Sequence, residues 1–148
     1  MLYTQVPTIL LPFFTFSPTV LVVDESADTY RLISEAISAA GYVAVSARNG
    51  NEALKCMDTA APDVILLNAT SSLIDGFELG RRIKSMPAWA SIPILFMIEK
   101  ANRSQILSCF ENGGTDYLSK PLCIPEMLAR LLTCATARIH TGQPSALV

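Results

Sequence analysis

Histidine is nearly missing from this chain: His140 is the only one, and it lies close to the C-terminus. Cysteine occurs four times, as Cys56, Cys109, Cys123 and Cys134, but never as a CxxC pair or at metal-ligand spacing. Both facts argue against a metal site built on His and Cys, and against a Ser–His or Cys–His nucleophile pair. Charge is scarce as well. Only 16% of the residues are charged and the net charge is -2, which gives no electrostatic footing for nucleic acid or an anionic membrane. No glycine-rich phosphate loop follows the first long apolar run. The segment there, "DESADT" (24–29), is acidic and would repel a phosphate, so a flavodoxin-like cofactor binder is disfavoured. Internal repeats and low-complexity tracts are also lacking.

What is present is apolar substance. Hydrophobic residues make up 51% of 148, enough for one domain with a sizeable core and too many for a disordered chain. The N-terminal stretch "LYTQVPTILLPFFTF" is apolar but interrupted by Pro7 and Pro12. It has no basic start, shows no small-residue cleavage site, and is too short to span a bilayer as a helix. The expectation is an extended lead-in over residues 1–18, with a docking strand or partner-binding peptide as the alternative, because exposed "ILLPFF" would form a large apolar patch. The domain proper is expected over residues 19–138 and a polar, fraying tail over 139–148, with a cytoplasmic location. With only ten residues after Arg138, no DNA-binding output is expected within this sequence.

Within 19–138, short apolar runs alternate with helical patterns. "TVLVVD" (19–24), "YVAVSA" (42–47), "DVILLN" (63–68), "IPILFMI" (92–98) and "DYLS" (116–119) read as five strands. They are rich in β-branched residues, and the first, third and fourth are continuously apolar, as strands buried on both faces should be. Five helices lie between and after them. The first has Ser26 as its N-cap, Tyr30, Ile33, Ile37 and Ala40 at helical spacing, and Gly41 as its stop. "NGNEALKCMDTA" and "GFELGRRIKSM" supply the second and third. "RSQILSCFENGG", closed by Gly113 and Gly114, is the fourth. "IPEMLARLLTCATARI" is the fifth, with Pro125 in its first turn, where a missing N–H costs nothing. The alternation predicts an α/β, doubly wound, five-stranded parallel sheet of order 2-1-3-4-5, with helices on both faces and right-handed crossovers.

In such a sheet, binding sites lie at the carboxyl ends of the strands, at the switch point between strands one and three. Asp24 and Glu25 fall at the end of strand one, Asn68 at the end of strand three, Ile98 and Glu99 at the end of strand four, and Lys120 at the end of strand five. Carboxylates, an amide and a lysine should therefore line one shallow cleft. Adjacent acids can hold Mg2+, and the lysine can balance their charge or hold an anion. Taken alone, "DE" before a helix more often only caps that helix. The whole set at successive strand ends is far more specific.

On these residues the sequence resembles the receiver domain of response regulators, the CheY-like family, over roughly Thr19 to Arg138. "VLVVDES" resembles the acidic-pair strand, "PDVILLNATSSLIDGFEL" the phosphoacceptor strand and loop, "IPILFMIE" the strand that ordinarily ends in a hydroxyl residue, and "GGTDYLSKP" the segment with the switch aromatic and Lys-Pro. The resemblance implies a fold of the flavodoxin-like type and phosphorylation of an aspartate by a histidine kinase, with Mg2+ on the acids. It also implies a relay to an output through the fourth helix, fifth strand and fifth helix. Position by position, Asp24 matches the first acid, Lys120 the lysine and Tyr117 the switch aromatic. Glu25 stands where the second acid is usually Asp, Asn68 on the phosphoacceptor, Ile98 on the hydroxyl, and Ser72 in place of the usual loop proline.

These departures change the chemistry. A carboxamide is a poor nucleophile, so Asn68 should not accept a phosphoryl group. Two acids remain as metal ligands, Asp24 and the longer Glu25, so Mg2+ binding is expected to be weak or absent and no other cofactor is foreseen. Asn68 is expected to hydrogen-bond Lys120 or Asp24. Ile98 is expected to fill the space into which Tyr117 would turn on activation, holding Tyr117 in one rotamer. The reading that follows is a non-enzymatic pseudo-receiver, a phosphorylation-independent interaction module whose partner is a histidine kinase or an output protein, with a homodimer as a second arrangement. Met127, Leu128, Leu131 and Leu132 should cover the sheet, with some of them left as a contact stripe. Two alternatives stay open: a receiver phosphorylated at a non-standard residue such as Asp75, Ser71 or Ser72, and a module cut from a larger hybrid kinase or output protein.

Overall fold

A computed structural model describes residues 17–69, 71 and 74–141. The apolar N-terminal stretch, Ser72 and the end of the tail lie outside the described residues. Five strands alternate with five helices: β1 (Thr19–Val23), α1 (Ala27–Ala39), β2 (Val43–Ala47), α2 (Gly50–Thr59), β3 (Val64–Asn68), α3 (Gly76–Ser85), β4 (Ile94–Ile98), α4 (Arg103–Glu111), β5 (Asp116–Ser119) and α5 (Ile124–Thr141). The strands form one parallel sheet of order β2-β1-β3-β4-β5.

Local chemistry sets the boundaries. Asn49, Asp75 and Asn102 cap α2, α3 and α4, each accepting the N–H three residues on. Ser26 does the same for α1 through the Thr29 N–H. Gly41 and Gly113 adopt φ of 95° and 91° just after α1 and α4, a left-handed turn that glycine takes without steric cost. Three strands begin one or two residues later than the sequence expectation, β2 at Val43, β3 at Val64 and β4 at Ile94, and two further shifts have a local cause. β1 ends at Val23, because Asp24 accepts the Ser26 N–H at 2.8 Å and turns the chain into the α1 cap. The last helix continues past Arg138 to Thr141, so the expected tail from 139 begins as helix. Between Pro125 and Gly142 there is no proline or glycine to stop it.

The sheet separates two apolar layers. On one side Leu21, Val23, Ile65, Leu67, Phe96 and Ile98 pack against Ala53 and Met57 of α2, Leu79 and Ile83 of α3, and Cys109 of α4. On the other, Val20, Val22, Leu66 and Met97 pack against Ile33 and Ile37 of α1 and Met127 and Leu131 of α5. Residues alternate between the layers along each strand because successive side chains point to opposite faces. The expectation for α5 divides: Met127 and Leu131 are core, Leu128 is half-buried, and Leu132 is 57% exposed. No helix among the described residues is long and apolar enough to cross a membrane.

Candidate functional site

The carboxyl ends of β1, β3, β4 and β5 bring together the groups expected there. Asp24 and Asn68 are each only 2% exposed, the two polar side chains buried among the described residues. Asp24 Oδ1 accepts from the Ser26 N–H, while its Oδ2 faces Lys120 Nζ at 3.8 Å. Lys120 also lies 4.0 Å from Glu99 Oε1, which stands largely in solvent. The Lys120 N–H donates to the Ile98 carbonyl, and the Ala69 N–H to the Met97 carbonyl, which fixes the strand ends against one another. Lys120 is followed by a cis peptide bond to Pro121.

Burial dominates the electrostatics. Desolvation pushes the Asp24 carboxyl above the ordinary carboxylate range, against the pull of the Ser26 N–H and the Lys120 ammonium. The 3.8 Å approach of Lys120 thus offsets the cost of a buried acid only in part.

Asn68 differs from expectation in its partner. Its Nδ2 donates to Glu25 Oε2 at 3.5 Å, not to Asp24, and Lys120 is taken by Asp24 and Glu99. An amide N–H is drawn to the carboxylate that still has room, and the longer Glu25 side chain reaches from the β1 end to the β3 end. Asn68 Oδ1 and Asp24 Oδ2 have no hydrogen-bond donor among the described residues. Two buried acceptors at the ends of neighbouring strands invite a water or a cation. For Mg2+ the fit is nevertheless poor: the described residues include no group of three or more His, Cys, Asp or Glu able to hold a metal, and Lys120 already answers the Asp24 charge.

Ile98 is fully buried. Tyr117 is half-buried; it meets the Phe110 ring edge-on at 6.4 Å between centroids, and the Arg130 guanidinium lies 5.9 Å from its ring centre. The Tyr117 side chain therefore lies at the seam of α4, β5 and α5, and its inner part packs against the core layer that contains Phe96, Ile98 and Cys109. Sequence reasoning missed the clamp of this seam: Arg130 donates to Asp116 and lies 3.7 Å from Glu126. The only signal was the i,i+4 spacing of Glu126 and Arg130, since Asp116 is remote in sequence. It also missed Arg48, which donates to the Glu25 carbonyl at 3.4 Å from the end of β2.

A doubly wound sheet with an acidic, lysine-bearing cleft at its switch point defines a signalling receiver fold. Residues 20–132 match the model of the response regulator receiver domain, and the chain belongs to that family. Among curated relatives, the phosphate regulon transcriptional regulatory protein PhoB of Pseudomonas aeruginosa is 34% identical over 113 residues, covering 76% of this chain and 49% of that protein. Hybrid signal transduction histidine kinase D of Dictyostelium discoideum is 30% identical over 82% of this chain and 8% of its own length. The chain thus spans half or less of these relatives. Among solved structures, a putative response regulator from Chloroflexus aurantiacus superposes with a TM-score of 0.78 at 28% identity, over 82% of this chain and 99% of that one. The chemotaxis response regulator CheY4 of Vibrio cholerae gives 0.75 at 26% identity, over 80% and 99%.

Proposed function

We propose that this receiver is a pseudo-receiver, a non-catalytic module of two-component-type signalling that works without aspartyl phosphate. The observation that carries the reading is Asn68 at the buried end of β3, the position that matches the phosphoacceptor. An amide there lacks the nucleophilic oxygen that acyl-phosphate formation needs. Ile98 supports the reading, because a buried branched alkyl group cannot hydrogen-bond a phosphoryl oxygen. So does the use of Asp75, whose carboxylate is engaged in capping α3 through the Glu78 N–H. The neighbouring Ser71 hydroxyl is tied to the Ile74 backbone.

The partner in this reading is a histidine kinase or a signalling output protein, docking on α4, β5 and α5, with a homodimer through the same face as the second arrangement. Leu107, Phe110 and Leu132 stand roughly half exposed on α4 and α5, apolar area that a partner would cover. Tyr117, held between Phe110 and Arg130, keeps that face in one arrangement.

The test is intact mass after incubation with acetyl phosphate and Mg2+, for the wild-type chain and for Asn68→Asp. The expected result is an unmodified wild type. A labile phosphoryl group on the wild-type chain would overturn the reading, and mapping would start at Asp75. Modification of Asn68→Asp alone would show that the remainder of the cleft still supports the chemistry.

A further inference from the structure

On the side of the sheet away from α5, a cleft of about 390 Å³ opens between α2 and α3. Leu54, Lys55 and Asp58 line it from α2, Arg82 from α3, and Met86 and Trp89 from the turn beyond α3. A second cleft of about 270 Å³ continues toward the β3 end, past Ile74 and Asp75, and Arg82 lines both. The functional reading above uses none of these side chains except that of Asp75.

The composition is that of a recognition surface. Trp89 is the only tryptophan in the chain, and tryptophan, arginine and methionine are the residues enriched where protein interfaces concentrate their binding energy. Met86 is 44% exposed, an apolar and adaptable side chain left in water. The turn bearing Trp89 is built in advance. The Trp89 N–H donates to the Met86 carbonyl, the Ile92 N–H to the Trp89 carbonyl, and Lys84 Nζ reaches the Ala90 and Ile92 carbonyls at 3.0 and 2.5 Å. A partner would therefore pay little ordering entropy at this anchor.

Charge selects the occupant. The neighbouring Arg81 is bonded to Glu78 and Asn112, so it is already spent. Arg82 and Lys55 face the cleft, and neither side chain is among the ion pairs or hydrogen bonds of the described residues. Asp58, on α2 with Lys55, is the one acid lining this cleft, and Asp75 and Glu78 line the second, so an acidic segment would be held at the Arg82–Lys55 end. The open, shallow shape suits a chain segment better than a small molecule, which would need deeper enclosure.

We propose that the α2–α3 cleft docks an acidic peptide segment of a partner protein, which lays an aromatic or leucine side chain on Trp89 and Met86 and a carboxylate on Arg82 and Lys55. Because Arg82 lines both clefts, the occupant would end beside Ile74 and Asp75 at the start of α3. The proposal stands independently of whether Asn68 can be phosphorylated.

The experiment is selection of a random peptide library on the immobilised full chain, followed by titration of the enriched peptides while reading Trp89 fluorescence. Acidic peptides with an aromatic or leucine anchor should be enriched, should shift Trp89 emission to the blue, and should bind Arg82→Glu at least about tenfold more weakly. Lys55→Glu, on the other helix, should act in the same direction, and circular dichroism should show both variants folded. Three outcomes would each overturn the proposal: no enriched peptide, enrichment of basic peptides, or acidic peptides that bind Arg82→Glu as well as the wild type and leave Trp89 emission unchanged.

Discussion

The cleft at the strand ends and the seam between β5 and α5 both hold charges, and they hold them differently. In the seam, Arg130 is bonded to Asp116, lies near Glu126, and sits over the Tyr117 ring. All these groups are partly wet, so the clamp costs little desolvation. In the cleft, Asp24 is almost wholly buried, its cation stays at 3.8 Å, and two acceptor oxygens find no donor. The seam meets its carboxylates with Arg130 and leaves one donor, Arg130 Nε, without an acceptor; the cleft leaves two acceptors without a donor. Stability is thus spent at the switch point and recovered beside it, the pattern expected where a site is built for something other than holding the fold.

The strongest way to break this contrast is at the floor of the cleft. Gly76 opens α3 directly against the end of β3, and a Cβ there would lie 2.1 Å from the Asn68 carbonyl oxygen and 2.7 Å from Ala69 Cα. These are backbone atoms that cannot swing aside. Gly76→Ala should cost about 3 kcal/mol, read as a lower urea midpoint. Unchanged stability would mean that α3 does not press on the site as described.

Next in size is the seam. Arg130→Ala removes the partner of Asp116 and the cation beside Tyr117, and should cost about 1–2 kcal/mol in chemical denaturation. Tyr117 fluorescence cannot report this alone beside three other tyrosines and Trp89, so the ring's NMR signals are the second readout. If Arg130→Ala is neutral, the seam is no firmer than the cleft.

The smallest effect runs in the opposite direction. Burial raises the Asp24 pKa above its unfolded value, so the folded state binds this proton more tightly than the unfolded state does. The ionised carboxylate therefore costs stability above the folded-state pKa, and the cost fades as pH falls through that value toward the unfolded one near about 3.9. Asp24→Asn should raise the melting temperature at neutral pH by a few degrees, about 1 kcal/mol or less, with the gain vanishing near pH 4. A lower melting temperature at neutral pH would mean that the Lys120 pair outweighs desolvation.

Much of this molecule could be read from sequence. Continuous apolar runs with helical spacing between them were enough for the element order and the sheet, because the three central runs must be buried on both faces. Asp24, Glu25, Asn68, Glu99 and Lys120 were placed together by topology alone, since parallel strands deliver their carboxyl ends to one edge. The partner of Asn68 was not legible. It depends on how far the Glu25 side chain extends over the cleft, a matter of ångströms that residue type does not fix. Nor was the Arg130–Asp116 clamp or the α2–α3 cleft, whose residues come from separate elements and meet only through the angle at which helices settle on the sheet.

The sheet is also a partition. The odd-numbered apolar residues of β1, Leu21 and Val23, belong to one layer, and Val20 and Val22 to the other, and the same division runs through β3 and β4. Methyl groups on one side never touch those on the other; backbone lies between. A bulky substitution under α3 is therefore felt by α2 and α4 long before it is felt by α1 or α5. Each wall of the molecule can be redecorated on its own terms, and news passing from one to the other has to travel around the rim, where the strands end and Asn68 stands.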